Sequence, residues 1–142
     1  MYKTITGGKG NIYQDARLKF ISSSVFKDRG FPVLERIVKY MKDELNLTYH
    51  EIALLLSRND RTIWTSYNRA KDKDVKKVIG ENDVLIPISV FQDRTISVLE
   101  TMVRYMKEEL NLRYHEIALL LNRNDRTIWT VYSRAKKKAN IK

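Results

Sequence analysis

Leu47-Thr-Tyr-His-Glu-Ile-Ala-Leu-Leu-Leu-Ser-Arg-Asn-Asp-Arg-Thr-Ile-Trp-Thr-Ser-Tyr-Asn-Arg-Ala-Lys71 occurs twice in this 142-residue chain, returning with four changes as Leu112 to Lys136. His50 and His115, and Trp64 and Trp129, all stand 65 positions apart, so one unit has been duplicated in tandem. Any account of function must therefore explain two copies.

As backbone chemistry, each copy of this stretch is two helices joined by a tight polar turn. Thr48 with Glu51 three residues on is a capping box, which satisfies orphan amides at a helix start. Ile52, Ala53, Leu55 and Leu56 carry that helix until Ser57-Arg58-Asn59-Asp60 interrupts the apolar pattern. Asn59 is a good N-cap for the next helix, and Asp60 and Asp125 suit the positive end of its dipole. Ile63, Tyr67 and Ala70 then fall on one inward face. Arg61, Trp64, Thr65 and Asn68 look the other way.

Leu47, Thr48, Tyr49, Glu51-Ile52-Ala53, Leu55-Leu56, Thr62-Ile63 and Arg69-Ala70-Lys71 resemble the helix-turn-helix of sigma-factor region 4, the promoter-reading C-terminal domain of bacterial sigma factors. Leu112, Tyr114, Glu116-Ile117-Ala118, Leu120-Leu121, Thr127-Ile128 and Arg134-Ala135-Lys136 repeat the match. The likeness covers about 25 residues per copy and implies a DNA-reading module, or a dock on RNA polymerase. The sequence departs from the family at three points. Ser57 and Asn122 stand where glycine is frequent, Arg113 replaces the capping threonine, and Leu54 and Leu119 replace a polar residue. The other regions of a sigma factor have no counterpart here.

Upstream of each pair lies a third helix. Val33, Leu34, Ile37, Val38, Met41 and Leu45 form a stripe of helical period, repeated by Val98, Leu99, Met102, Val103, Met106 and Leu110. Ser97 with Glu100 predicts a capping box, Pro32 suits a first turn, and Asn46 and Asn111 tolerate the left-handed geometry of a helix end. Before these helices, Phe20 to Phe26 and Leu85 to Phe91 are β-branched and serine-bearing, with Pro87 in the second. They are expected to be extended and to pack on the bundle that follows. Whether they pair with each other is left open by their composition.

The expected fold class is therefore all-α: two tandem small three-helix helix-turn-helix domains, each preceded by a short extended segment. Their bounds are 21–80 and 81–142, after a basic arm over residues 1–20. Gly7-Gly8-Lys9-Gly10 lacks the spacing of a phosphate-binding loop. Asp72 to Asp83 is expected to prolong the third helix until Gly80. About 25 residues between the two sets of helices span up to ~80 Å when extended, so the linker itself fixes no distance between them.

The formal charge of +10 and pI near 9.8 point to a polyanionic partner. Residues 25–74 hold ten basic and eight acidic side chains, and residues 90–139 hold ten and six, so the second copy is the more basic. With no cysteine, disulfides and thiolate metal sites are excluded. Two histidines without partners at ligand spacing make no zinc site. No nucleophile elbow, paired-carboxylate motif or phosphate loop is present, and neither catalysis nor a cofactor is expected. A cytoplasmic, nucleoid-associated protein without membrane segments is the expectation.

The expected base-reading residues are Arg61, Trp64, Thr65 and Asn68, with Arg126, Trp129, Thr130 and Ser133 in the second copy. Arginine bonds guanine, asparagine bonds adenine, and apolar groups meet the thymine methyl. Trp64 and Trp129 have a competing role, partial burial against the first helix, and that is the favoured expectation. Phosphate contacts are expected from Tyr49, His50, Arg58, Arg69 and Lys71, and from Tyr114, His115, Arg123, Arg134, Lys136, Lys137 and Lys138. Leu54 and Leu119 add apolar surface that the other copy, or another chain in a homo-oligomer, is expected to cover.

The function these residues predict is that of a double-stranded DNA-binding transcriptional regulator. Its rivals are a nucleoid architectural protein and a polymerase-docking module. Near-identical heads predict two similar half-sites about one helical turn, or a multiple, apart. Head-to-tail order favours a direct repeat; a twofold arrangement would give an inverted one.

Overall fold

Local signals build each copy, and the computed structural model describes residues 19–28, 30–75 and 82–141. The basic arm, apart from Lys19 and Phe20, and the chain around Gly80 lie outside the described residues. The first copy contains strand β1 (Phe20–Ser22), a short helical turn Ser23–Phe26, helix α1 (Val33–Lys39) continued by a π turn Tyr40–Glu44, α2 (Tyr49–Leu56) and α3 (Asp60–Ala70). The second contains β2 (Leu85–Pro87), a short turn Ile88–Gln92, α4 (Val98–Glu108), α5 (Tyr114–Leu121) and α6 (Asp125–Ile141). The molecule is mostly helical, with one two-stranded sheet. Among the described residues no helix is long and apolar enough to cross a membrane.

The helix ends follow from side-chain chemistry. Thr48 Oγ1 accepts from the Glu51 amide at 3.1 Å while Glu51 Oε1 accepts from the Thr48 amide at 2.9 Å, and Ser97 with Glu100 closes the same box at 3.2 and 3.0 Å. Arg113 keeps half of it, since its amide donates to Glu116 Oε1 at 2.8 Å but a guanidinium has no acceptor to return. Asn59 and Asn124 cap α3 and α6 through Thr62 and Thr127 amides, each at 2.7 Å. Pro32 sits one step before the expected first turn, at the N-cap of α1.

Four residues take positive φ: Asn46, Ser57, Asn111 and Asn122, between 53° and 57°. They reverse the chain after α1, α2, α4 and α5. Beyond the two turns that follow α2 and α5, the Arg58 and Arg123 amides reach back to Ala53 and Ala118 carbonyls at 3.0 and 2.9 Å.

The two copies are joined by a twofold exchange. β1 and β2 pair antiparallel with Ile21 opposite Ile86, which are equivalent residues of the two copies. On either side, the Ser23 amide donates to the Val84 carbonyl at 2.8 Å and the Ile88 amide to the Lys19 carbonyl at 2.9 Å, two bonds that interchange under the 65-residue offset. The turn of each copy packs on the second helix of the other, Ile88–Gln92 on α2 and Ser23–Phe26 on α5, and α1 meets α4. Phe26 and Phe91, also equivalent, meet at 6.4 Å between ring centroids. One apolar core results, containing Ile21, Phe26, Ile52, Leu56, Ile86, Phe91, Ile117 and Leu121.

These observations correct four expectations. The segments before each bundle are extended only at Phe20–Ser22 and Leu85–Pro87, and their turns cover the other copy's second helix as well as their own bundle. Translation does not relate the copies, so the head-to-tail arrangement fails and the twofold one holds. The other copy leaves Leu54 and Leu119 45% and 65% exposed, because the neighbouring Leu55, at 1%, takes the place beside Phe20, Pro87 and Ile88, so of the two expected covers only a second chain stays open. Finally, α3 ends at Ala70: Asp72 and Asp74 oppose the negative end of a helix dipole, whereas Lys136-Lys137-Lys138 favour it and α6 runs on to Ile141.

Two outcomes follow from this architecture. Ser57→Gly should raise stability by about 1 kcal/mol, since serine in the left-handed region carries a steric cost that glycine lacks. Asn122→Gly should give no such gain, because asparagine tolerates that region and its Nδ2 donates to the Lys27 carbonyl at 3.1 Å across the seam. Thermal denaturation of both variants checks this. Ile86→Ala should destabilise the whole chain by about 2–5 kcal/mol in a single transition, while Leu54→Glu and Leu119→Glu should stay within ~0.5 kcal/mol of the parent. Two separate transitions in the Ile86 variant would show that the copies fold independently.

Candidate nucleic-acid interface

The third helix of each copy is clamped to the first by its inner side, which leaves one polar face outward. Ile63 and Ala70 are fully buried, and Ser66 joins them at 7%, with Ile128, Val131 and Ala135 equivalent in α6. Tyr67 Oη donates to Asp43 Oδ1 at 2.7 Å and Tyr132 Oη to Glu108 Oε2 at 2.9 Å. Lys73 pairs with Glu35 at 3.2 Å and Lys138 with Glu100 at 2.8 Å. Lys39 Nζ also bridges Asp43 and the Lys71 carbonyl, at 3.0 and 2.9 Å.

The outward face consists of the residues expected there. Arg61 and Arg126 are exposed, and Thr65, Thr130, Asn68 and Ser133 are partly so. Asn68 Nδ2 donates to the Trp64 carbonyl one turn back at 2.8 Å, a local tie Ser133 does not reproduce. Trp64 and Trp129 are 53% and 55% exposed, so about half of each residue is covered and the other half lies open. One residue beyond Ile63 the helix has turned by about 100°, which carries the indole away from α1 and into the face of Arg61 and Asn68.

Residues expected to touch phosphate divide into two groups. Arg69, Arg134, Lys71, Lys136 and Lys137 are exposed beside this face. Tyr49 and Tyr114 instead pack inside the clamp, 5.9 and 6.1 Å from Tyr67 and Tyr132, with Lys42 and Lys107 ammonium groups 4.6 Å from their rings. Arg58 and Arg123 donate to the Leu56 and Leu121 carbonyls at 2.7 and 3.1 Å, so they brace the turn. Burial lowers the Arg58 pKa, and Arg94 nearby adds to the effect while Asp93 opposes it. His50 and His115 lie exposed with Nδ1 3.1 Å from Asp60 and Asp125, joining the start of the second helix to the start of the third.

Lys138 is exposed like Lys136 and Lys137 but is held by its ion pair with Glu100. Burial alone would raise the Glu100 carboxyl, but the Lys138 ammonium and the Ser97 amide hold it below the usual carboxylate range. One residue was missed by sequence reasoning. Arg113 is 84% exposed at the start of α5, where the first copy has neutral Thr48, and adds a positive charge at the front of the second helix pair. The signal was the Thr-to-Arg change itself, read only as the loss of a cap.

The clamp has a pH signature. Hydrogen bonding to Asp43 pushes the Tyr67 phenol up to about 12 from its ordinary value of 10.0. The folded-state value is the raised one, so the stability this bond supplies is present below pH 10 and is lost as pH rises through about 12. The difference in phenolate absorbance between the parent and Tyr67→Phe should therefore titrate near 12, and Asp43→Asn should return it toward 10. A titration at the ordinary value in the parent would show that the bond does not persist in solution.

No family model, curated protein or solved structure matches the chain, so the functional reading rests on the chain's own residues and geometry.

Proposed function

We propose that the protein binds double-stranded DNA as a transcriptional regulator, using each α2–α3 and α5–α6 pair as a helix-turn-helix. The carrying observation is the duplicated outward face: Arg61, Trp64, Thr65 and Asn68 on α3, and Arg126, Trp129, Thr130 and Ser133 on α6, each beside exposed basic residues. In this reading the N-terminal halves of α3 and α6 enter successive major grooves, where arginine meets guanine and the indole meets thymine methyls. Arg69, Lys71, Arg134, Lys136, Lys137 and Arg113 take phosphates. His50 and His115, beside Asp60 and Asp125, stand at the edge of the groove and position the helix start.

A second reading draws on exposed apolar side chains. Trp64, Trp129, Leu54 and Leu119 suit a protein surface such as that of RNA polymerase, as the sigma-like motif implies. A purely architectural role needs the basic residues but no base-reading face.

Affinity for duplex DNA should fall by about 10³ to 10⁵ between 50 and 200 mM salt if each head neutralises several phosphates. Arg61→Ala with Arg126→Ala should flatten base preference, and Lys137→Ala should weaken all sequences alike. Salt-insensitive binding, or none, rejects DNA as the partner; retained affinity without any base preference favours the architectural role.

A further inference from the structure

The symmetry of the seam specifies the kind of duplex. In the β1–β2 ribbon the axis passes between Ile21 and Ile86, and the flanking bonds Ser23 to Val84 and Ile88 to Lys19 exchange under the same rotation. Ile21, Ile86, Phe26 and Phe91 are all 2% exposed or less. Rotating one head against the other would require this shared core to open, so the link between heads is a packed interface and not a tether.

Resting on the DNA-binding reading above, we infer that the single chain is a pseudo-dimer whose target is an inverted repeat with one fixed spacing between half-sites. A twofold protein presents its two reading helices in opposite senses, which matches the local dyad of B-DNA and not a direct repeat. The four changes within the duplicated stretch spare Arg61, Trp64 and Thr65 and their counterparts, so the half-sites share a core. Asn68 against Ser133 makes the two arms differ at one flank. Arg113 and Lys137, which stand where the first copy has Thr48 and Asp72, make the α5–α6 head the tighter of the two, and the fixed seam orients the chain on such an asymmetric site.

The test is selection by the intact protein from a random duplex library about four helical turns long. The expected result is one motif recovered twice, inverted, at a single separation. Inserting about five base pairs between the arms turns one arm to the far side of the duplex, and should reduce affinity by roughly 10²-fold or more, to that of a lone half-site. Direct repeats, inverted repeats at many separations, lone half-sites, or motif-free binding would overturn the inverted-repeat inference while leaving DNA as the partner. Absence of any enrichment together with absence of salt-sensitive binding would overturn both.

Discussion

Ile21 lies opposite its own duplicate, Ile86, and the remainder of the molecule depends on that pairing. A two-stranded ribbon of three residues per strand is marginal by itself. Here its inner face is buried and the turns that follow it cover the second helices of the opposite copies, with Phe26 against Phe91 beneath. Each half alone is near the size at which a single core becomes marginal, because surface is too large a share of so short a chain. Sharing the ribbon and turns gives both halves one core, so the duplication is part of the fold as well as a doubling of the face.

A second level of constraint holds the outward face open. The inner side of α3 is occupied by Ile63, Ser66 and Ala70, its edge by Tyr67 bonded to Asp43, and the chain just beyond it by Lys73 paired with Glu35. Copy two repeats the plan with Tyr132, Glu108, Lys138 and Glu100. Such partly exposed ion pairs add little stability individually. Their effect is geometric, since each fixes the rotation of the third helix about its axis. That rotation decides that Trp64 and Trp129, and not a core residue, face outward.

The helices were legible because their signals are local. Capping boxes, asparagine N-caps, left-handed asparagines and a 3.6-residue apolar stripe each act within a few residues, and the structure uses nearly all of them. The outward positions of Arg61 and Asn68 followed from the same period. The seam was not legible, because a three-residue strand has too little alternation to register and its partner lies 65 positions away. That non-local pairing also set Leu55, which the sequence had placed on the apolar face of its own helix, beside the other copy's Pro87 and Ile88, the place expected for Leu54. The local role of Arg58 and Arg123 was not legible for a related reason: a basic residue in a polar turn reads as free charge, whereas here it donates to a helix-end carbonyl.

Divergence between the copies reaches both the core and the surface. Ile21 and Ile86, Phe26 and Phe91, and Ile63 and Ile128 are kept at the seam and in the core, where both sides of one shared core must fit each other, whereas Ser23 and Ile88, Arg36 and Thr101, and Ser66 and Val131 differ although all six are buried. Where a side chain meets solvent, Thr48 became Arg113, Asn68 became Ser133, and the alternating Lys71 to Asp74 became Lys136 to Ala139. Two of these changes favour positive charge in the second half, and the last also lengthens α6 by removing the acids that terminate α3. A strict homodimer cannot do this, since every substitution appears in both subunits. Fusing the two subunits into one chain keeps the twofold geometry while freeing each face to change alone, so a symmetric frame carries two unequal heads.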